Sequence, residues 1–242
     1  MPEYFDIHCH LLHGVDDGPR RIEQSLELLR MEYDDGVRTI FLTPHYRRDL
    51  FECPTHILLE HFEALRHRAT QQFPDLRLIL GREVHVHSDI TQAIRTGECM
   101  TLGDSDHVLL EFPENADKRY LIDSCHAVIQ GGYRPIIAHA ERCAAIRSDI
   151  DLLRRLVELG VRVQINAGSI LGEDGLALKW FCRTLMKRHL IHYVASDSHN
   201  KSSRRPNLGK CAAYIERVMG RAYRDQIMTL PPTETTERSA RK

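Results

Sequence analysis

Short runs rich in β-branched and aromatic residues alternate along this chain with longer amphipathic stretches, and that alternation limits the fold more than any other feature. The runs are Tyr4 to His8, Val37 to Thr43, Leu76 to Val84, His107 to Phe112, Pro135 to His139, Val161 to Asn166 and Ile191 to Ala195, seven expected strands. Between most of them apolar residues recur at helical spacing, as in Ile22, Leu26, Leu29 and Tyr33, or Leu152, Leu153, Leu156 and Leu159. Gly36, Gly132 and Gly160 stand where a helix must stop and a strand begin, the place for a left-handed residue. The order βαβα implies a parallel sheet with helices outside it, either open and doubly wound or closed into a barrel, and periodicity does not choose between them.

A chain of 242 residues suits one such domain. The domain is expected to cover residues 1–230, because residues 231–242 carry almost nothing to bury and read as a solvated, disordered tail. A net charge of −1 argues against nucleic acid as the main partner. No apolar run approaches the roughly 18 residues of a membrane span, and Met1-Pro2-Glu3 does not open a secretion leader, so neither membrane insertion nor export is expected. Seven cysteines without a C-x-x-C pair read as reduced thiols, and the expected location is cytoplasmic.

The donors of metal chemistry fall at the carboxyl ends of the expected strands. His8 and His10 follow the first, His45 the second, Glu83 the third, Glu111 the fourth, His139 the fifth, and Asp197 with His199 the seventh, while Asp17 lies in the loop after the first. In parallel β/α folds those ends share one mouth. His8-x-His10 and Asp197-x-His199 each put two donors on one side of an extended chain. Any one pair is common by chance among 15 histidines; chance must place all nine at strand ends. Nine donors exceed the three or four of a zinc site and suit three divalent ions. Four carboxylates against three such ions leave a charge of about +2, which suits a phosphate monoester dianion. Arg47, Arg142 and Arg204 follow donor histidines closely and offer planar forks for phosphoryl oxygens; a solvated surface arginine is the competing account, weighing most for Arg204 beside Arg205. His85, which shares the parity of Glu83, and Asn166, which closes the sixth strand, are candidates for supporting contacts around the donors.

Phe5-Asp6-Ile7-His8-Cys9-His10, Gly14-Val15-Asp16-Asp17-Gly18, Thr43-Pro44-His45, Gly81-Arg82-Glu83, Glu111-Phe112, Ala138-His139-Ala140-Glu141-Arg142 and Ser196-Asp197-Ser198-His199 together resemble one family. They are similar to the bacterial CpsB/YwqE-type protein tyrosine phosphatases of the polymerase-and-histidinol-phosphatase (PHP) superfamily, from Tyr4 to about Arg204. The resemblance implies a distorted seven-stranded parallel (β/α)7 TIM-like barrel. It implies one metal on His8, His10, Glu83 and Asp197, a second on Glu83, Glu111 and His139, and a third on Asp17, His45 and His199. Manganese is the implied metal; iron, cobalt and zinc suit the same donors. The implied reaction is in-line attack on phosphorus by a metal-bound hydroxide, with Arg47, Arg142 and Arg204 on the transferring group. The implied substrate is phosphotyrosine on a protein, the tyrosine-rich tail of a bacterial tyrosine kinase that controls capsule or exopolysaccharide assembly.

Two other readings stand beside this one: a PHP phosphatase for a small metabolite such as histidinol phosphate, or a phosphodiesterase; and a metal-stabilised binding module without turnover. Cys182 to Arg188 and Cys211 to Arg217 match Cys-x5-Arg, but both segments lack glycine and read as helix, which a phosphate-cradling loop is not. Trp180, Phe181 and Leu185 read as the buried stripe of a helix.

Overall fold

The computed structural model describes residues 3–229, so Leu230 and the expected tail at 231–242 lie outside the described residues. Strand β1 (Tyr4–Cys9) leads to α1 (Ile22–Asp34), β2 (Val37–Leu42), β3 (His45–Tyr46) and α2 (Thr55–Gln72). Then come β4 (Arg77–Leu80), β5 (Glu83–His85), α3 (Ile90–Thr96), β6 (His107–Glu111), α4 (Lys118–Gln130) and β7 (Arg134–Ile137). A 3-10 turn (Ala140–Arg142) precedes α5 (Ala144–Ser148), α6 (Ile150–Glu158), β8 (Arg162–Asn166), α7 (Ala167–Leu171), α8 (Leu176–Lys187), β9 (Tyr193–Ala195), α9 (Leu208–Met219) and α10 (Arg221–Met228).

The helices form where patterning places them. In α6 the spaced leucines Leu152, Leu153 and Leu156 are buried, and Asp149 caps the first turn by accepting the Leu152 N–H at 3.0 Å. Gly36, Gly132 and Gly160 carry φ of 93°, 86° and 95°, the left-handed stops that the strand starts require. On α8 the expected stripe is wrong at one residue: Cys182, Leu185 and Met186 are buried, whereas Trp180 is 63% exposed on the other side, near the Arg183 guanidinium.

Among the described residues there are nine strands in two hydrogen-bonded sheets, not seven in one. The first sheet has the order β1-β2-β4 and the second β3-β5-β6-β7-β8-β9, and every pairing between these strands is parallel. The count differs because two ladders break. After β2 the chain meets Pro44, which has no N–H for a ladder, and resumes as β3. The expected strand from Leu76 to Val84 breaks at Gly81 and Arg82, where a Cβ on Gly81 would stand 2.7 Å from Leu102 Cδ2. Glu83 N–H reaches across the gap, 3.3 Å from both the Thr43 and Pro44 carbonyls. Where β1 ends and just past β9, Asp197 N–H donates to His8 O and His10 N–H to Ser198 O, each at 2.9 Å.

A large apolar core packs helices against the strands. A smaller cluster of Phe5, Ile7, Phe41, Leu102, Leu109, Ile136, Ala138, Tyr193 and Ala195 gathers alternate residues of β1, β6, β7 and β9 on the other face. The carboxyl ends of the strands rise above that inner cluster. No helix among the described residues is long and apolar enough to cross a membrane.

Candidate metal centre

The strand ends bring all nine expected donors together. Three groups of donor atoms each fall within 4.8 Å: His10, Asp17, His45 and His199; His8, His10 and Asp197; and His45, Glu83 and Glu111. His139 stands outside those groups but reaches the hub, its Nε2 lying 2.8 Å from Glu83 Oε1. Glu83 is also 3.3 Å from His8 Nε2, 3.3 Å from His10 Nε2 and 2.9 Å from His45 Nδ1. Histidines as far apart in sequence as His8 and His139 thus meet around one buried carboxylate.

Outer hydrogen bonds turn the imidazoles inward. His10 Nδ1 is 2.8 Å from Asp16 Oδ2, and His199 Nδ1 is 3.0 Å from the Asp197 carbonyl. His8 Nδ1 is 3.1 Å from Gln164 Oε1, and that amide's orientation is fixed because Oε1 also accepts the His139 N–H at 2.7 Å. In each case an acceptor holds the proton on Nδ1 and points Nε2 into the cluster, the arrangement that orients metal-ligating histidines. Asp16 and Gln164 were not singled out from the sequence. Asp16 sits beside Asp17 in the same loop and accepts the His45 N–H at 3.1 Å; Gln164 shares the strand parity of Asn166, a signal that was legible. The loop packs so closely that a Cβ on Gly18 would lie 2.0 Å from the His10 carbonyl oxygen, which is why glycine stands there.

The charges hold one another. Burial opposes a proton on His10, yet Asp16 and Glu83 raise its pKa to about 10; burial opposes one on His139 too, and Glu83 raises it to about 9. Burial and the neighbouring His10 push His199 down to about 4. Burial works against ionising Glu83 and Asp197, but His8 and its neighbours keep both well below the usual carboxylate range. Two buried ring nitrogens, His45 Nδ1 and His199 Nε2, stand 2.9 Å from Glu83 Oε2 and 3.3 Å from Asp17 Oδ1 without making a hydrogen bond. Buried nitrogens with free lone pairs among ionised carboxylates fit divalent cations, and the mixed imidazole and carboxylate set excludes none of manganese, iron, cobalt or zinc.

Around the donors, Arg204 Nη2 is 2.9 Å from Asp197 Oδ1 and its Nη1 3.6 Å from Asp17 Oδ2, while Arg142 Nη1 is 3.4 Å from Asp197 Oδ2. Both forks therefore border the cluster. Arg47 is exposed, and among the described residues its side chain has no ion-pair partner. His85 Nδ1 lies 3.2 Å from Glu111 Oε2, and Asn166 Nδ2 donates to Asp197 Oδ2 at 2.7 Å. Cys182 and Cys211 are buried within helices, and burial raises both thiols well above their ordinary pKa, the opposite of an activated thiolate.

Fold and site together define a parallel α/β protein with a cluster of metal-type donors at the carboxyl ends of its strands. The chain belongs to the CpsB/CapC family of capsular polysaccharide synthesis, which matches residues 4–237. It is 34% identical over 215 residues to the tyrosine-protein phosphatase YwqE of Bacillus subtilis, covering 89% of this chain and 85% of that one. It is 31% identical over 227 residues to the tyrosine-protein phosphatase CpsB of Streptococcus agalactiae, covering 92% and 93%. A crystal structure from work on YwqE of Bacillus subtilis and CpsB of Streptococcus pneumoniae, described as metal-dependent tyrosine phosphatases, superposes with a TM-score of 0.85 at 33% identity, covering 91% of this chain and 89% of that one.

Proposed function

We propose that this chain is a metal-dependent phosphomonoesterase that hydrolyses phosphotyrosine on proteins. The observation that carries the reading is the convergence of nine donors at one mouth, four of the histidines meeting Glu83, with Arg142 and Arg204 at their edge, in a chain that matches tyrosine phosphatases over nearly its whole length. His8, His10, Glu83 and Asp197 would hold one ion, Glu83, Glu111 and His139 a second, and Asp17, His45 and His199 a third, with manganese as the expected metal. The grouping of Asp17, His45 and His199 supports the last set; His45 also stands within reach of the Glu83 and Glu111 pair. Divalent ions bound there supply positive charge for the phosphoryl oxygens and lower the pKa of the attacking water.

The chain's own residues do the rest. Arg142 and Arg204, held by Asp197, present N–H donors to the oxygens of the transferring group, and Arg47 stands at the rim to meet the incoming dianion. A tyrosyl oxygen leaves with a conjugate-acid pKa of about 10, so a strong general acid is less necessary than for an alkyl ester. The inner apolar cluster supports reading the two sheets as one distorted barrel of seven strand positions, residues 1–230 forming a single phosphatase domain. The family's role in capsule synthesis supports a bacterial tyrosine kinase tail as the substrate, and the free cysteines suit the cytoplasm.

The test is turnover with manganese supplied, on a phosphotyrosyl peptide, histidinol phosphate and a dinucleotide. The peptide is expected to have the highest kcat/KM, and His139→Ala to lower it by about 100-fold or more, since even outer contacts of a metal site are worth 10- to 100-fold. Preference for either other compound selects the metabolite or diester reading. An inert wild type selects the binding module.

A further inference from the structure

From the tyrosine phosphatase reading, and resting on it, we infer that Phe51 is the aromatic wall that receives the substrate's phenyl ring. His199, His10, His45 and Phe51 form a row of rings, with successive centroids 3.9, 4.3 and 5.2 Å apart. The row runs outward: His10 is fully buried, His45 is 12% exposed, and Phe51 is half-buried at the rim. Phe51 lies nearly parallel to His45, at 12°, so it continues the donor cluster as an apolar surface where the imidazoles end. A phosphoryl group seated over the donors must direct its ester oxygen and aryl group away from them, toward solvent. Along this row the next surface is Phe51, and beside it Leu50 is 59% exposed.

The segment is built to hold that surface in place. Arg47 and Phe51 close a tight hairpin, with Arg47 N–H donating to Phe51 O at 2.9 Å and Phe51 N–H to Arg47 O at 2.7 Å, and Asp49 takes the left-handed turn at φ 62°. Its base is anchored by Arg82, whose side chain is fully buried: Nη1 donates to His45 O at 3.4 Å, Nη2 donates to Cys53 O, and the guanidinium lies 5.3 Å from the Tyr46 ring. Among the described residues Arg82 has no carboxylate partner and its Nε is unpaired, so the hydrogen bonds that its two Nη groups make go to the segments flanking the hairpin on either side. The hairpin thus carries an unpaired guanidinium at Arg47 and an aromatic face at Phe51, the two halves of a phosphotyrosine side chain in complementary form.

The experiment separates ring recognition from phosphoryl recognition in the manganese-loaded protein. Binding of a peptide bearing the non-hydrolysable phosphonomethyl-phenylalanine is measured by calorimetry, alongside inhibition by inorganic phosphate. Phe51→Leu is expected to weaken the peptide roughly fivefold to tenfold, the worth of an aromatic pair. The phosphate inhibition constant should stay within about twofold, and Phe51→Tyr should keep wild-type peptide affinity. Unchanged peptide affinity in Phe51→Leu overturns the inference, as does an equal loss for peptide and phosphate, which would mean that Phe51 acts by seating His45. Wild-type protein that fails to hydrolyse a phosphotyrosyl peptide overturns the tyrosine phosphatase reading and this inference together. Wild-type turnover with an indifferent Phe51→Leu overturns this one alone.

Discussion

His139 and Asp197 both lie in left-handed backbone, with φ of 31° and 51°, a conformation that costs a non-glycine residue about 1–3 kcal/mol. Both belong to the donor cluster, so strain is stored where the strands hand over to the site. His192 shows how a single residue couples the fold to pH without touching the donors. Its Nδ1 accepts the Val163 N–H at 3.2 Å while its backbone N–H donates to Val163 O at 2.9 Å, and a ring nitrogen that accepts cannot also carry a proton. Burial, then Arg162, lowers its pKa to about 4. Between about pH 6.5 and 4 the unfolded chain therefore binds a proton that the folded chain does not, so stability is full above that window and is lost as pH falls through it. Denaturation in urea at several pH values should show wild type losing on the order of 2–3 kcal/mol more than His192→Asn across the window. Parallel curves would show that His192 is already charged in the native state.

At the scale of elements, strand β8 carries Gln164 and Asn166 on one face, and the pair links His8, His139 and Asp197: Gln164 Oε1 meets the first two and its Nε2 donates to Asn166, which donates to Asp197. Gln164→Met keeps the volume but removes the acceptor for His8 Nδ1–H and His139 N–H. Metal affinity, read by competition with a chelator, should fall about 10- to 100-fold, with Gln164→Glu retaining most of it. An unchanged affinity would reduce Gln164 to packing. The strand ends were legible from the sequence because donor residues followed apolar runs in register, and the glycine stops were legible because only one backbone conformation suits them. The breaks at Pro44 and Gly81 were not read, although Pro44 is itself a ladder breaker, since the apolar run on either side of Gly81 looks continuous until Leu102 is seen packed against it. Trp180 was misread because helical spacing fixes which residues share a face, not where that face's edge meets solvent. Asp16 escaped because nothing in Asp16-Asp17 tells which carboxylate faces the cluster and which holds a histidine from behind.

For the molecule as a whole, the donors do more than line a mouth, because they come from both sheets. His8 and His10 belong to the β1 side of the three-stranded sheet, while His45, Glu83, Glu111 and His139 stand on or beside strands of the six-stranded one, and Asp197 and His199 follow its last strand. Among the described residues few backbone hydrogen bonds cross that seam beyond those joining His8 and His10 to the Asp197 and Ser198 turn, those from Glu83 N–H to the Thr43 and Pro44 carbonyls, and that from Gly103 N–H to Leu80 O. Cations shared among His8, His10, Glu83 and Asp197 would tie the sheets where the ladder does not, and would replace the protons that now offset buried carboxylates. Metal should accordingly act on global stability and not on the site alone. Manganese at about 100 times its dissociation constant adds roughly 2.7 kcal/mol to a protein that binds it only when folded, which for a domain of this size is a rise in Tm of about 5–10 °C over chelated protein. The increment should grow with the logarithm of free metal and shrink in Glu83→Gln, which weakens the hub shared by both sheets. A Tm indifferent to manganese and to chelator would show that the two sheets are held together without the cluster.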